Sequence, residues 1–460
     1  MELAAAATTK ATAAISEKIS SSDDKTRLAL GGKGMHFSYG YGKGSREFDI
    51  NDGNIICELR QNKVDVHTTG VEEVKRALKN PIGTDRLSAI VKPGEKIAIV
   101  TSDITRPMPS RLVLPPVLDE LAEAGVRDED ITVVFALGSH RKHTEEEKKY
   151  LVGEDIYSRI KCVDSDVKQY TTLGTSSRGT PIEIFDIVAN ADRRICLGNI
   201  EYHYFAGYSG GAKAIMPGVS TRNAIQANHS AMVKDEARAG AIDGNPVRQD
   251  IEEVVKFVNI DFILNVVLDE DKQIIKAVAG HPVKAHREGC RFLDSLYKVE
   301  IPKKADIVIT TPGGFPKDMN LYQAQKALDN AKHAVRDGGI IIFLASCAEG
   351  YGGAVFEKWI NEAASPDDLV SRVKSRFELG GHKAAAIALV EKKAEIFLVS
   401  DLPREKAEKL YMVPFNSVDA ALAKAFAELG QNAGVILMPH GGSTLPVLFR
   451  GNNSDTPVSK

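Results

Sequence analysis

The amino-acid sequence predicts an α/β protein of two lobes, each built on a mostly parallel sheet flanked by helices. Three observations carry this. From about residue 90, short apolar β-rich runs alternate with stretches of helical spacing, the mark of βα units. The series breaks at "SLYKVEIPKKAD" (295–306) and then restarts. A chain of 460 residues with 43% hydrophobic content is also large enough for two cores.

"EKIAIVTSD" (95–103) reads as a buried strand, and "RLVLPPVLDELAEAG" (111–125) follows with helical spacing, interrupted by prolines near its start. "DITVVFALGSH" (130–140) and "ADRRICLGNI" (191–200) are further strands. "DFILNVVLDEDKQIIKAVAG" (261–280) holds two β-runs around "DEDK", a hairpin. In the second series, "ADIVITTPGG" (305–314) is a strand and "NLYQAQKALDNAKHAVRDGG" (320–339) a helix ended by Gly. "IIIFLAS" (340–346), "AEIFLVSD" (394–401) and "AGVILMPHGG" (433–442) complete the strands. The expected division is a flexible N-terminal extension at 1–34, a first domain at 35–297 that carries catalysis and cofactor binding, and a C-terminal α/β domain at 298–460.

The bulk numbers narrow the function. A net charge of −3 points away from nucleic acid and anionic membranes. The longest apolar run, "IIIFLASCA" (340–348), falls far short of the roughly 18 residues of a membrane span. Cysteines at 57, 162, 196, 290 and 347 form no CxxC pair, which argues against a disulfide framework or a thiolate zinc site and for a reducing, cytoplasmic setting. The Ala/Ser/Thr-rich start lacks the apolar core of a signal peptide, and Met35 is a plausible start for the folded part.

The chemically capable residues gather where strands end, the usual ligand edge of an open α/β sheet. In "SDITRP" (102–107), Asp103, Thr105 and Arg106 surround a turn closed by Pro107; Arg106 can grip a carboxylate or phosphate bidentately. In "GSHRKHT" (138–144), His140 lies at a strand end where a neutral imidazole can take a proton, while His143 reads as part of a solvated basic loop with Arg141 and Lys142. In "EYHYFAGYSGGAKAIMPGVS" (201–220), His203 stands between Tyr202 and Tyr204, in an aromatic wall that would keep it neutral. Gly210 and Gly211 can turn amide N–H groups toward an anion. The loop is no Walker sequence, because Ala212 fills the second glycine's place and Ala214 follows the lysine. Lys213 is then an ammonium clamp or, if desolvated, a nucleophile for a covalently held cofactor.

His229, in "TRNAIQANHSAM" (221–232), suits nickel, zinc or copper, yet no HxH or HExxH accompanies it. A metal there would need most of its donors from outside the protein. In "NLYQAQKAL" (320–328), Tyr322, Gln323 and Lys326 share a helix face and offer a hydroxyl, an amide and an ammonium to a polar ligand.

Together these segments resemble the nickel-dependent lactate racemase family, whose members racemise or epimerise 2-hydroxy acids. The likeness runs from about residue 35 to 445 and rests on "SDITRP", "GSHRKHT", "EYHYFAGYSGGAKAIMPGVS", "ANHS", "LNVVLDEDKQI" and "GGFPKDMNLYQAQKAL" in order. The resemblance implies a nickel-pincer nucleotide, pyridinium-3,5-bisthiocarboxylic acid mononucleotide, bound covalently at Lys213 in a site between the lobes. Its two sulfurs and ring carbon hold nickel, and His229 is implied as the fourth donor. Asp103, Thr105, Arg106, Gly210, Gly211, Gln323 and Lys326 match cofactor contacts; Arg106, Tyr322 and Lys326 match substrate contacts. His140 and His203 match the acid/base pair of a reaction in which hydride passes to the cofactor ring and returns to the opposite face of a planar keto acid. Proteins that synthesise the cofactor are implied as partners, and a homo-oligomer is left open. The side chain of the substrate is also open: lactate, a malate-like diacid, an aromatic hydroxy acid or a sugar acid. Two rival readings are a nicotinamide-dependent dehydrogenase, for which no G-x-G-x-x-G opens a βα unit, and a cofactor carrier, which would need neither histidine.

Overall fold

The computed structural model describes residues 34–449. All but the last residue of the expected extension at 1–34 lies outside the described residues.

The first lobe is organised by a six-stranded sheet in the order Ile274–Gly280, Phe262–Leu268, Arg193–Asn199, Ile97–Ser102, Ile131–Ala136, Lys161–Asp164. All neighbours are parallel except the first two strands, which form the expected antiparallel hairpin. Helices cover both faces, so the inner strands are mostly apolar: every residue of Phe262–Leu268 is buried, Asn265 included. Each such Ile or Val contributes about 1.5–3 kcal/mol by leaving water. The helix Ser110–Glu123 keeps Pro115 and Pro116 inside it and still buries Val113, Leu114, Val117 and Leu121.

The second lobe holds an all-parallel sheet in the order Val413–Phe415, Ala394–Val399, Val335–Leu344, Ala305–Thr310, Val435–Met438, Ile55–Glu58. Its last strand comes from the N-terminal part of the chain. Ile55 pairs with Val435 and Cys57 with Ile436. The hairpin Gly34–Tyr41 and Gly44–Asn51 belongs here too, because Tyr39, Tyr41, Phe48 and Ile50 pack against Ile307, Ile309 and Ile342. The expected boundary, which gave 35–297 to the first lobe, therefore places residues 35–58 with the wrong sheet. A second correction concerns 320–339: the helix ends at Ala331 and the strand already starts at Val335, whose fully buried side chain joins the core.

All five cysteines are free. Among the described residues no helix is long and apolar enough to cross a membrane.

Candidate active site

Three strands that lie side by side, Arg193–Asn199, Ile97–Ser102 and Ile131–Ala136, send their C-terminal loops to the same edge of the first sheet. The winding reverses between the first two, which opens a crevice at that edge. There a cleft of about 990 Å³, open mouth included, is lined by Asp103, Arg106, His140, Asn199, His203, Gly210, Gly211, Lys213 and His229, and is closed by Phe377, Leu379 and His382 from the second lobe.

Asp103 is 2% exposed and follows the strand Ile97–Ser102. One carboxylate oxygen pairs with His140 Nδ1; the other accepts from Thr105 Oγ1 at 2.7 Å and from the Thr105 amide at 3.2 Å. Burial alone would raise its pKa, but the His140 and Thr105 hydrogen bonds outweigh burial and hold the carboxyl below its ordinary range. An ionised carboxylate only accepts, so His140 carries a proton on Nδ1, and the neutral tautomer so fixed has its lone pair on Nε2. Arg106 follows on the same turn with its side chain exposed.

His143 departs from the expectation of a solvated loop: it is 9% exposed. Its Nδ1 donates to Asp164 at 2.6 Å, and its Nε2 accepts the Ile104 amide at 3.1 Å. It thus braces the turn that carries Asp103 and Arg106. The neighbouring charges point away, Arg141 to Glu147 and Lys142 to Asp166.

His203 has the opposite tautomer. Its Nδ1 accepts the Ala206 amide at 3.2 Å, so the neutral ring carries its proton on Nε2. Burial, then the charges of Lys213 and Arg106, push its pKa well below the usual histidine value. Tyr204 stacks on it (5.3 Å, 16°) and Phe205 meets it edge-on (4.5 Å, 87°). Tyr202 is not part of this wall. Its hydroxyl, like that of Tyr208, donates to Asp294.

The loop between His203 and Lys213 is held from beneath by buried groups. Arg248, 0% exposed, donates to the carbonyls of Ala206 and Tyr208, and Asn245 donates to the Phe205 carbonyl at 2.9 Å. Gly210 and Gly211 take φ of 75° and 60°, and a Cβ on Gly210 would stand 2.8 Å from Asn265 Oδ1. Asn265 also accepts the Gly211 amide at 2.8 Å. That N–H is committed to the protein, so the expectation that it faces an anion is corrected. Lys213 lies in the short turn Gly211–Ala214. Enclosure by the cleft, then the charges of Arg106 and Arg248, push its ammonium pKa well below the ordinary lysine value. This shift makes the neutral, nucleophilic form more accessible than in an ordinary lysine.

His229 ends the helix Arg222–His229, which Thr221 caps by accepting the Ala224 amide. Its Nδ1 meets Asn228 Oδ1 at 2.8 Å. Asn228 Nδ2 donates to Asp250 at 2.7 Å and to the Val247 carbonyl, which fixes the amide with its oxygen toward the ring. His229 must then donate from Nδ1, and its Nε2 offers a lone pair. Burial, then Lys213, keep the ring neutral. An imidazole oriented by a second partner in this way is the usual form of a metal ligand. Among the described residues no group of three or more His, Cys, Asp or Glu side chains could hold a metal by themselves.

The second-lobe candidates are placed differently. Gln323 and Lys326 line an adjoining recess of about 980 Å³ with Glu201, Lys272 and Lys317; Asn199 borders both spaces. Lys326 Nζ lies 3.6 Å from Glu201 Oε1, an ion pair across the lobes. Tyr322 lines neither space; the Lys383 ammonium sits over its ring at 4.3 Å and donates to its carbonyl at 2.6 Å. Thr105 is exposed and acts through Asp103.

Residues 41–240 match the lactate racemase N-terminal domain and residues 301–445 the lactate racemase C-terminal domain. The chain belongs to the lactate racemase family. A lactate racemase of Thermoanaerobacterium thermosaccharolyticum is 36% identical over 417 residues, covering 88% of this chain and 97% of that protein. One from Lactiplantibacillus plantarum is 33% identical over 413 residues, covering 87% and 97%. The structure of the lactate racemase apoprotein from T. thermosaccharolyticum matches with a TM-score of 0.82, over 90% of this chain and 100% of that one. A protein of Thermotoga maritima, 18% identical, shares the fold at a TM-score of 0.61 over 84% of this chain and 100% of that one. This member of the lactate racemase family is accordingly an isomerase.

Sequence reasoning missed several residues that shape the site: His143 and Asp164, Arg248, Asn245, the Asn228–Asp250 pair behind His229, and His382. Only Asn228 carried a local signal, being next to a candidate ligand. His143 stands in view beside His140 but reads as solvated, and the rest act from distant segments.

Proposed function

We propose that the protein inverts C2 of a 2-hydroxy acid, lactate or a larger homologue, with a nickel-pincer nucleotide bound at Lys213. The residues fit such a group. Lys213 offers an amine of lowered basicity lining the cleft, His229 offers one oriented lone pair, and among the described residues no protein ligand set competes with donors brought by a cofactor. When bound, that group supplies a reversible acceptor for the hydrogen of C2.

The observation that carries the reading is the pair of opposed tautomers in one cleft. His140 presents a lone pair, backed by the Asp103 carboxylate, and takes the hydroxyl proton of the substrate. His203 presents Nε2–H, backed by the Ala206 amide, and donates to the substrate oxygen as it gains carbonyl character. For the other stereoisomer the roles exchange. Before the cleft closes, His203 must shift its proton from Nε2 to Nδ1 through solvent, giving up the Ala206 hydrogen bond, so that Nε2 can take the hydroxyl proton. Whichever ring takes that proton is matched by one returned to the substrate oxygen when C2 regains its hydrogen. Arg106 holds the carboxylate so that the carbon, rather than the whole molecule, changes hand. Phe205, Ile225, Phe377 and Leu379 keep water away and retain the planar intermediate.

The test uses protein co-expressed with the cofactor-making enzymes and supplied with each pure enantiomer of a panel of 2-hydroxy acids. Chiral chromatography is expected to show both enantiomers of at least one acid converging on equal amounts without accumulation of keto acid. Keto acid accumulating only with added nicotinamide cofactor would favour the dehydrogenase, and no conversion of any acid would favour the carrier.

A further inference from the structure

One histidine in the cleft has no part in the chemistry described above. His382 opens the helix Gly381–Glu391 in the second lobe and is 6% exposed. Its Nδ1 accepts the Gly380 amide at 3.0 Å, so the neutral ring carries its proton on Nε2. Burial, then the neighbouring Lys383 ammonium, lower its pKa to about 3, and the ring stays neutral. No partner among the described residues meets Nε2, and the ring lines the cleft. Around it the wall is aromatic: Phe377 at 5.0 Å, Tyr204 stacked at 6.2 Å and Phe205 edge-on at 6.4 Å.

The ring is held firmly. A Cβ on Gly381 would stand 2.2 Å from the Trp359 ring, so the helix start packs directly on that indole. Lys383, the next residue, ties the helix to the Tyr322 carbonyl. The Nε2 donor stands in an aromatic wall at the cleft, where a ligand with an acceptor can meet it. Nε2 carries a proton, so His382 offers a metal no lone pair. The carboxylate, hydroxyl and C2 of the substrate are already assigned to Arg106, His140, His203 and the group at Lys213, all in the first lobe. What remains for the second-lobe wall is the side chain on C2.

We infer that His382 selects the substrate: its Nε2–H donates to an oxygen on the side chain of the 2-hydroxy acid, within an otherwise apolar wall. The natural substrate then carries a hydroxyl or carboxylate beyond C2, and lactate, with only a methyl group there, leaves the donor unmet. This inference rests on the racemase reading.

The experiment measures kcat/KM of the holoenzyme for two shape-matched pairs. Glycerate is set against 2-hydroxybutanoate, and malate against 2-hydroxy-4-methylpentanoate. The wild-type enzyme is expected to favour the oxygen-bearing member of one pair by about tenfold or more, because a site built to donate rejects an analogue that cannot accept. Which pair shows it tells hydroxyl from carboxylate. In His382→Phe the preference is expected to fall to about threefold or less, and His382→Gln, which retains a donor, to recover part of it. Equal rates within both pairs for the wild type, or an undiminished preference in His382→Phe, would overturn the inference while leaving the racemase reading intact. Inversion of no acid in the panel would remove both.

Discussion

The two lobes contribute to the cleft in different ways. In the first, each of the three histidines expected to do chemistry is locked by a buried partner: His140 by Asp103, His203 by the Ala206 amide and His229 by Asn228, while His143 braces the turn of Arg106. In the second, Gln323 is exposed, and Lys326 is 43% exposed with one long ion pair to Glu201. The difference teaches that proton transfer is built into strand ends, where the fold fixes geometry to a fraction of an ångström, while the helix face acts as an electrostatic lid. Glu201 reports on this lid: burial raises its carboxyl pKa, but Lys326, Arg106 and Lys272 together pull it below the ordinary value.

If the contrast holds, damage to the first lobe falls on kcat and damage to the helix on KM. His140→Ala is expected to lower kcat by about 10²–10⁴-fold, the usual worth of a positioned base, while the protein retains its covalent adduct by mass. A loss confined to KM would break the comparison. Next in size is His143→Phe, which removes the brace under Ile104 and leaves Asp164 without its buried partner. It is expected to cost about 3–5 kcal/mol of stability by denaturant titration. Misplacement of Asp103 and Arg106 adds a loss of about 10²-fold in kcat/KM. His143→Gln, which keeps a polar partner for Asp164, should recover part of both, an outcome a mere packing defect would not give.

Lys326→Ala is smaller again: KM rising about tenfold with kcat changed by less than about threefold, in steady-state assays at low salt, because an exposed charge adds modest binding. A kcat collapse here would mean that the ammonium reaches the reacting atoms.

The strand ends, the hairpin at 262–280, and the placement of His229 and Lys213 at the cleft were readable because each lies beside a local signal: an apolar run, a glycine pair or a helix cap. The strand Ile55–Glu58 was not. Its partner, Val435–Met438, is almost four hundred residues away, and nothing in "IICE" says which sheet it completes. His143 misled because Arg141 and Lys142 beside it are solvent-facing, yet one step further along the loop the chain turns inward to Asp164. His382 was hidden in "GGHKAAAIAL", a sequence that reads as helix and nothing more. The helix overrun at 332–339 came from treating Gly338 and Gly339 as a stop signal, although they stand within the strand Val335–Leu344. Tertiary pairing decided each of these, and pairing has no local signature.

A separate expected effect is on stability with pH, and it follows from rings buried in neutral form. His229, His286 and His382 are all held below the ordinary histidine pKa, chiefly by burial. The unfolded chain binds protons at these sites near pH 6.5 while the folded chain does not, so stability is full above that value and falls as pH drops below it. Each ring contributes a slope of up to about 1.4 kcal/mol per pH unit. Thermal unfolding between pH 7.5 and 5.0 should show Tm falling from about pH 6.5 downward. His286→Asn should flatten the slope, whereas a Tm constant to pH 5 would mean that these rings titrate normally.

The claim that most depends on the first lobe is that Lys213 and His229 together hold a nickel-bearing organic group. Intact mass spectrometry with metal analysis, on protein co-expressed with the cofactor-making enzymes, addresses it directly. The expected result is one covalent adduct and one nickel per active chain, with the adduct absent in Lys213→Ala and the adduct present but nickel lost in His229→Ala. An unmodified, nickel-free chain that still interconverts the stereoisomers of a 2-hydroxy acid would contradict it.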